Sequence, residues 1–298
     1  MLRIFALLVL VLVLGGAALG YAARWQMPGL LNVADRLWPG PAGRIVAEGV
    51  PYGASPAQQV DVFAPAQAAV APRPVVIFFH GGGWAKGSRD TYGFAGRAFA
   101  SEGFVTVIAG YRLVPEGRYP VFMEDAAEAV RWTRANIARF DGDPNRIVLA
   151  GHSAGAHIAL LLALDPRWLG ADVQPGGAIR GAISLAGPTD FLPLEPGGRG
   201  DVALGHVRPL EITQPIHFAR ADAPAIWMGH GDADVTVRPR NSQRLAAALT
   251  DVGGQAEVRM YPGVDHEGTV TPLSLLYRDR IPLLRDATTF VRRVTQSR

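Results

Sequence analysis

The sequence predicts an α/β fold: a mainly parallel central sheet flanked by helices on both faces. Three observations predict it. Short, fully apolar runs such as Val75–Phe79 read as strands buried on both faces. From Val75 onward such strands alternate with segments of helical period, the pattern of a parallel sheet. The strand-like run Arg146–Ala150 then passes through Gly151-His152-Ser153-Ala154-Gly155 into an apolar stretch of helical length, Ile158–Leu164. A strand that turns sharply into a helix lifts the middle serine above the sheet edge, and glycines on either side let two backbones pass close together.

Composition sets the bounds. The chain has 298 residues, 49% of them apolar, enough to bury one large α/β core. Twenty-nine basic against 26 acidic residues give a formal charge of +3 with no dense basic block. The C-terminal arginines Arg278, Arg280, Arg285, Arg292, Arg293 and Arg298 are interrupted by Asp279 and Asp286 and read as a solvated helix face, which argues against nucleic acid as a partner. Cysteine is absent, which excludes disulfides, thiolate metal sites and a cysteine nucleophile.

At the start, Arg3 precedes the aliphatic run Ile4–Leu14, and the small residues Gly15–Gly20 follow. Residues 1–23 are therefore expected to be a secretory signal, with a cut after Gly20, or an uncleaved anchor over Ile4–Ala23. Either reading puts the catalytic domain outside the cytoplasm. Residues 24–43, with Trp25, Pro28, Trp38, Pro39 and Pro41, are expected to form a linker or an arm lying on the domain, which then occupies 44–298.

Within that domain, Arg44–Val50 and Gln59–Phe63 have strand character around the turn Pro51-Tyr52-Gly53, and Ala64–Pro74 is a loop. After Val75–Phe79 comes the loop His80-Gly81-Gly82-Gly83-Trp84. Tyr92–Glu102 predicts a helix stopped by Gly103, Phe104–Ile108 a buried strand, and Tyr111–Pro120 an irregular segment. Glu124–Phe140 repeats Ala127, Val130, Ile137 and Phe140 at helical spacing, and Asp141–Asn145 predicts a turn. Strands are expected at Ile179–Leu185, Ala225–Met228 and Glu257–Tyr261, and helices at Arg240–Thr250 and Leu283–Val294. The Pro- and Gly-rich stretch at about 188–222 reads as an insertion over the top of the sheet.

The chemistry follows from the strand ends. A serine hydroxyl needs a base, and the base needs a third group to hold it. In an open parallel sheet such groups collect at the carboxyl ends of strands. Asp234 stands on the loop after Ala225–Met228, and His266 on the loop after Glu257–Tyr261, giving the chain order Ser153, Asp234, His266. Asp232 is the alternative acid, Asp265 reads as a turn residue, and His230 as a residue that positions its own loop. His152 and His157 read as packing or pocket residues, with His152 assigned to the substrate pocket, and His206 and His217 as groups facing water or substrate. The glycine loop can aim bare N–H groups at an oxyanion: Gly82 and Gly83, with Ala154, are expected to form that hole. Trp84 would wall the acyl side of the pocket, and His80 would hold the loop. The scheme needs no metal or cofactor.

These motifs resemble those of the α/β-hydrolase superfamily, near the hormone-sensitive-lipase-like and BD-FAE-like carboxylesterases. The similarity rests on His80-Gly81-Gly82-Gly83-Trp84, on Gly151-His152-Ser153-Ala154-Gly155 and on Tyr111-Arg112-Leu113-Val114-Pro115-Glu116 followed by Tyr119-Pro120 and Glu124-Asp125. It covers roughly Arg44 to the C-terminus. The resemblance implies an α/β-hydrolase fold, Ser153 as nucleophile, Asp234 as orienting acid, His266 as base, and a small-molecule ester as substrate. The chain has little room for the large helical N-terminal cap of the hormone-sensitive-lipase pattern. Its His230-Gly231-Asp232-Ala233-Asp234 loop looks more like BD-FAE-like esterases and prolyl-oligopeptidase-type hydrolases. Kynurenine-formamidase-like enzymes share the His-Gly-Gly-x-Trp loop, so an amide-cleaving hydrolase is the alternative, and a non-catalytic binding protein on the same scaffold the third reading.

Overall fold

The computed structural model describes residues 28–37 and 43–296, so the expected leader over 1–23 lies outside the described residues. Within them the elements run α1 (Pro28–Leu37), β1 (Arg44–Pro51), β2 (Gln59–Ala64), β3 (Arg73–Phe79), α2 (Gly93–Ser101), β4 (Val105–Ala109), α3 (Val121–Asn136), β5 (Gly142–His152), α4 (Ala154–Leu164), α5 (Pro166–Leu169), β6 (Ile179–Leu185), α6 (Arg199–Leu204), β7 (Ala225–Gly231), α7 (Arg240–Asp251), β8 (Ala256–Tyr261) and α8 (Leu283–Thr295). One eight-stranded sheet has the order β1-β2-β4-β3-β5-β6-β7-β8. β1 and β2 pair antiparallel with each other, β2 pairs antiparallel with β4, and every other pairing is parallel.

The period-2 alternation of each strand feeds two cores. On β3, Val75, Ile77 and Phe79 enter one with Phe122, Val130 and the α4 residues Ile158–Leu164, whereas Val76 and Phe78 enter the other with Phe94, Phe99 and Phe290. Helix α4 is buried along its whole length, which is why its sequence is apolar on every side. Helix α8 instead buries Leu283, Leu284, Ala287, Phe290 and Val291 at helical spacing and turns Arg285, Arg292 and Arg293 to solvent.

Three segments differ from what the sequence predicts. The expected turn at Asp141–Asn145 is mostly strand: β5 begins at Gly142, and its register against β3 shifts between Arg73 and Val75, which absorbs the extra residues around Pro144. The expected arm carries helix α1, docked through Leu31, through Asn32 bonded by Arg97, and through Asp35, which accepts from Ser274 Oγ at 2.7 Å and Leu275 N at 3.1 Å. Its sequence looks weak as a helix because half of its binding is polar and comes from residues far along the chain. The 188–222 stretch carries helix α6 and two 3₁₀ turns, Leu210–Thr213 and Pro215–Phe218.

One buried acid ties the segment after β4 to α3. Asp125 is 1% exposed and accepts from Arg112 N at 2.9 Å, from the Arg112 guanidinium at 2.6 and 2.9 Å, and from Gln58 Nε2 at 2.8 Å. Removing the carboxylate leaves four donors without their acceptor, and breaking such a pair costs about 3 kcal/mol or more. Asp125→Ala is therefore expected to lower the free energy of urea unfolding by about 2–3 kcal/mol, towards the lower end because the Arg112 side chain is 34% exposed. A change under about 0.5 kcal/mol would mean that water replaces the carboxylate at no cost.

Candidate active site

Strand β5 delivers Ser153 and helix α4 begins one residue later. Ser153 has φ 54° and ψ −120°, a conformation that side chains other than glycine rarely adopt. The turn is held by tight backbone crossings. A Cβ on Gly155 would lie 2.1 Å from the Phe79 carbonyl oxygen, and one on Gly151 would lie 2.3 Å from the Gly155 carbonyl. Glycine is required at both because backbone, not a movable side chain, fills the space.

Asp234 and His266 come from the loops after β7 and β8 and meet at this serine. His266 Nε2 lies 2.9 Å from Ser153 Oγ, and His266 Nδ1 lies 2.7 Å from Asp234 Oδ2. With Nδ1–H donated to the carboxylate, Nε2 is left to accept the serine proton. The other carboxylate oxygen accepts from the N–H groups of Thr236 and Val237, each at 2.9 Å. Burial pushes the Asp234 carboxyl up. Bonds from His230 and His266, the imidazole charge and the Val237 N–H outweigh it and hold the group well below the usual carboxylate range. Asp234 is thus held as an anion at neutral pH.

Asp232, the alternative acid, is exposed and accepts from Gly263 N at 2.6 Å; Asp265 accepts from Gly268 N at 2.8 Å and closes its own turn. His230 is fully buried. Its Nδ1 accepts from Ser242 Oγ at 2.7 Å, and its Nε2–H donates to Val237 O at 2.8 Å while standing 3.4 Å from Asp234 Oδ2. At the end of β7 it therefore stands beside the same carboxylate oxygen that His266 engages, a second imidazole partner for the acid.

The glycine loop follows β3. Gly82 has φ 124°, Gly83 φ 63° and Trp84 φ 58°. Among the described residues the N–H groups of Gly82 and Gly83 make no hydrogen bond, and the Ala154 N–H lies in the first turn of α4, where amides have no helical partner. The loop is strapped from below: Tyr111 stacks on His80 at 4.3 Å between ring centroids and donates to His80 O at 2.8 Å, while Val114 N donates to Trp84 O at 2.9 Å. Trp84 is buried between Phe122 and Phe191, with its face or edge against His157 at 5.1 Å between centroids. Phe191 belongs to the 188–222 insertion, which thus closes over this wall.

The structure moves His152 out of the role expected for it. It is 2% exposed and lies behind His266 rather than in the substrate pocket: its Nε2–H donates to the His266 carbonyl at 3.2 Å, and Tyr92 Oη approaches its Nδ1 at 3.5 Å. Alternation along β5 turns its side chain from the serine's side to the interior. His157 is fully buried and donates through Nε2 to Thr213 O at 2.7 Å, fastening the insertion; His206 and His217 are exposed, as expected of groups facing water, and His206 also donates through Nε2 to Tyr119 O at 2.7 Å. No group of three or more His, Cys, Asp or Glu able to hold a metal occurs among the described residues.

Comparison with known proteins agrees with this architecture. The family model BD-FAE matches residues 60–249. Esterase LipC of Mycobacterium tuberculosis is 41% identical over 234 residues, covering 72% of this chain and 58% of that protein. A probable isoprenylcysteine alpha-carbonyl methylesterase, ICMEL1, of Oryza sativa subsp. japonica is 29% identical over 245 residues, covering 74% of this chain and 57% of that protein. The chain thus spans a little under three-fifths of the length of these two curated relatives. Among solved structures, a truncated carbohydrate esterase from gut microbiota superposes with a TM-score of 0.74 at 20% identity, covering 87% of this chain and 99% of that one. An esterase of Thermogutta terrifontis superposes with a TM-score of 0.66 at 24% identity, covering 85% and 93%. Both carry the α/β-hydrolase fold seen here.

Two outcomes follow from the geometry. Gly155→Ala forces a methyl into the Phe79 carbonyl, and overpacking against backbone costs about 1–3 kcal/mol; the urea midpoint should fall accordingly, and an unchanged midpoint would mean the crossing can open. The second outcome concerns protons. Burial pushes His80 and His157 down to about 4 and, with the neighbouring His266 charge, His152 down to about 3. Below the ordinary histidine value of 6.5 the unfolded chain therefore binds protons that the fold refuses, so stability is intact above that pH and is lost as pH falls towards 4. One such group accounts for about 3 kcal/mol across that window. His157→Gln should flatten the fall of the unfolding free energy between pH 6.5 and 4, and an unaltered slope would show that His157 titrates alike in both states.

Proposed function

This chain belongs to the BD-FAE family, and we propose that it is a serine carboxylesterase hydrolysing small to medium carboxylic esters through an acyl-enzyme. The observation that carries the reading is the relay Ser153 Oγ–His266 Nε2 at 2.9 Å and His266 Nδ1–Asp234 Oδ2 at 2.7 Å. The esterase names of the relatives above support the reaction class.

In this reading Ser153 Oγ attacks the ester carbonyl while His266 Nε2 takes its proton. The imidazolium that forms stands against Asp234, already an anion, so no proton need move to the acid. The carbonyl oxygen becomes an oxyanion facing the N–H groups of Gly82, Gly83 and Ala154, donors fixed in place before reaction. On collapse, His266 returns the proton to the leaving alkoxide, and the alcohol departs. Water repeats the path: His266 takes one proton, hydroxide adds to the acyl carbon, and Ser153 leaves with the proton restored. Trp84, walled by Phe122 and Phe191, bounds the acyl side. The basic, apolar and small-residue start of the sequence supports a catalytic domain held outside the cytoplasm.

A fluorophosphonate probe should label Ser153 in the wild type, and Ser153→Ala should abolish hydrolysis of 4-nitrophenyl butyrate with the circular dichroism spectrum retained. Asp234→Asn should lower kcat by about 10⁴-fold, because the amide no longer fixes the tautomer that leaves Nε2 free. Ester activity surviving in Ser153→Ala would remove the reading. A matched butyranilide turned over as fast as the ester would shift it to an amide-cleaving hydrolase.

A further inference from the structure

The two glycines assigned to the oxyanion each have a cationic residue beside them, at Gly82 chiefly the Lys86 main chain and at Gly83 the Arg199 side chain. A Cβ on Gly82 would lie 3.2 Å from Lys86 Cγ, and one on Gly83 would lie 2.5 Å from Arg199 Cδ and 3.4 Å from an Arg199 guanidinium nitrogen. A Cα–Cβ bond is about 1.5 Å, so Arg199 Cδ stands within about 4 Å of the Gly83 Cα. Lys86, the chain's single lysine, is drawn to the half-buried Glu267. Arg199 is different. Among the described residues it has no ion pair, hydrogen bond or ring contact, although it shares its segment with two acids. Glu195 lies against Gly198, and Asp201 is occupied by the Gly197 N–H at 2.9 Å.

An exposed arginine without a partner is ordinary on a surface. This one lies across a glycine of the oxyanion loop, in space that a Cβ on Gly83 would occupy. It sits at the first position of α6, in the insertion that also supplies Phe191 to the Trp84 wall, so the segment that shapes the pocket also carries the charge. We infer that Arg199 reads a carboxylate on the substrate: the preferred esters carry an acid group as well as the ester, either on the acyl half, as in a half-ester of a dicarboxylic acid, or on the alcohol half. The guanidinium fork matches a carboxylate with two parallel N–H···O bonds, and a neutral ester gains nothing from it. The inference rests on the esterase reading above and names the substrate class for that same site.

The test compares kcat/KM by pH-stat at one fixed pH for monomethyl succinate against methyl butyrate, and for 4-acetoxybenzoate against its methyl ester, in the wild type, Arg199→Gln and Arg199→Lys. An exposed charge pair is worth about 1 kcal/mol, so the anionic-to-neutral ratio should fall about fivefold in Arg199→Gln and in the wild type at high salt, and recover in part in Arg199→Lys. A fall confined to the succinate pair assigns the acid to the acyl half, and one confined to the acetoxybenzoate pair to the alcohol half. Ratios within twofold of the wild type in both pairs, with the neutral esters still hydrolysed, would overturn the role of Arg199 and leave the esterase reading intact. A wild type that hydrolyses none of the four would remove that reading, and this inference with it.

Discussion

Three backbones pass within contact distance at one point, and the rest of the site depends on it. The end of β3, the end of β5 and the start of α4 meet where Gly151 faces the Gly155 carbonyl and Gly155 faces the carbonyls of Phe79 and His80. That crossing forces Ser153 into its left-handed conformation and sets its hydroxyl beside the first turn of a buried helix. Because the β3 backbone continues into the glycine loop, the crossing also fixes the oxyanion donors relative to the nucleophile. Nucleophile and donors are therefore placed by one packing contact between main chains, where no side-chain rotamer can adjust them.

A second layer of neutral rings carries this geometry to the base. Tyr111 stacks under His80; Gly81 packs on the His152 ring, where a Cβ would sit 2.9 Å from Nδ1; and His152 donates to the carbonyl of His266. Burial keeps His80 and His152 uncharged at neutral pH, so each offers one donor and one acceptor and puts no positive charge beside the imidazolium that forms on His266. A lysine or arginine in either place would raise the cost of that imidazolium. The price is paid in acid stability, since between pH 6.5 and about 4 these rings take up protons more readily in the unfolded chain.

What the sequence discloses and what it hides divide along the same line. The central strands were legible because two-sided burial demands apolar runs, as at Val75–Phe79, and the candidate triad because Ser153, Asp234 and His266 each stand within a few residues of a strand's end. Helix α1 was not, since Asn32 and Asp35 hold it through partners at Arg97 and Ser274. The early start of β5 was not, because Pro144 and Asn145 read as a turn and only pairing with β3 draws Gly142 into the ladder. Nor was the position of His152, where adjacency to the serine in sequence suggested a pocket and strand alternation sends the ring inward. His230 could have been suspected as the acid's second partner only from its i, i+4 spacing to Asp234, a spacing that carries no such meaning in a loop.

The two kinds of placement have different tolerances, and this separates chemistry from selectivity. Residues set by the main-chain crossing cannot move without opening a packing so close that even an added Cβ would meet backbone atoms at 2.1–2.3 Å. The insertion at 188–222 is joined to the body by a main-chain bond, Tyr119 N to Ala203 O at 3.1 Å, and by side chains: His157 to Thr213 O, His206 to Tyr119 O, and Asn241 accepting from Thr189 N at 2.9 Å. Such bonds can be exchanged one at a time, at about 1 kcal/mol each. Phe191 and Arg199 both ride on this replaceable piece, one against the Trp84 wall and the other over Gly83. The sheet can therefore keep a single arrangement for breaking an ester while the segment above it changes which ester is admitted.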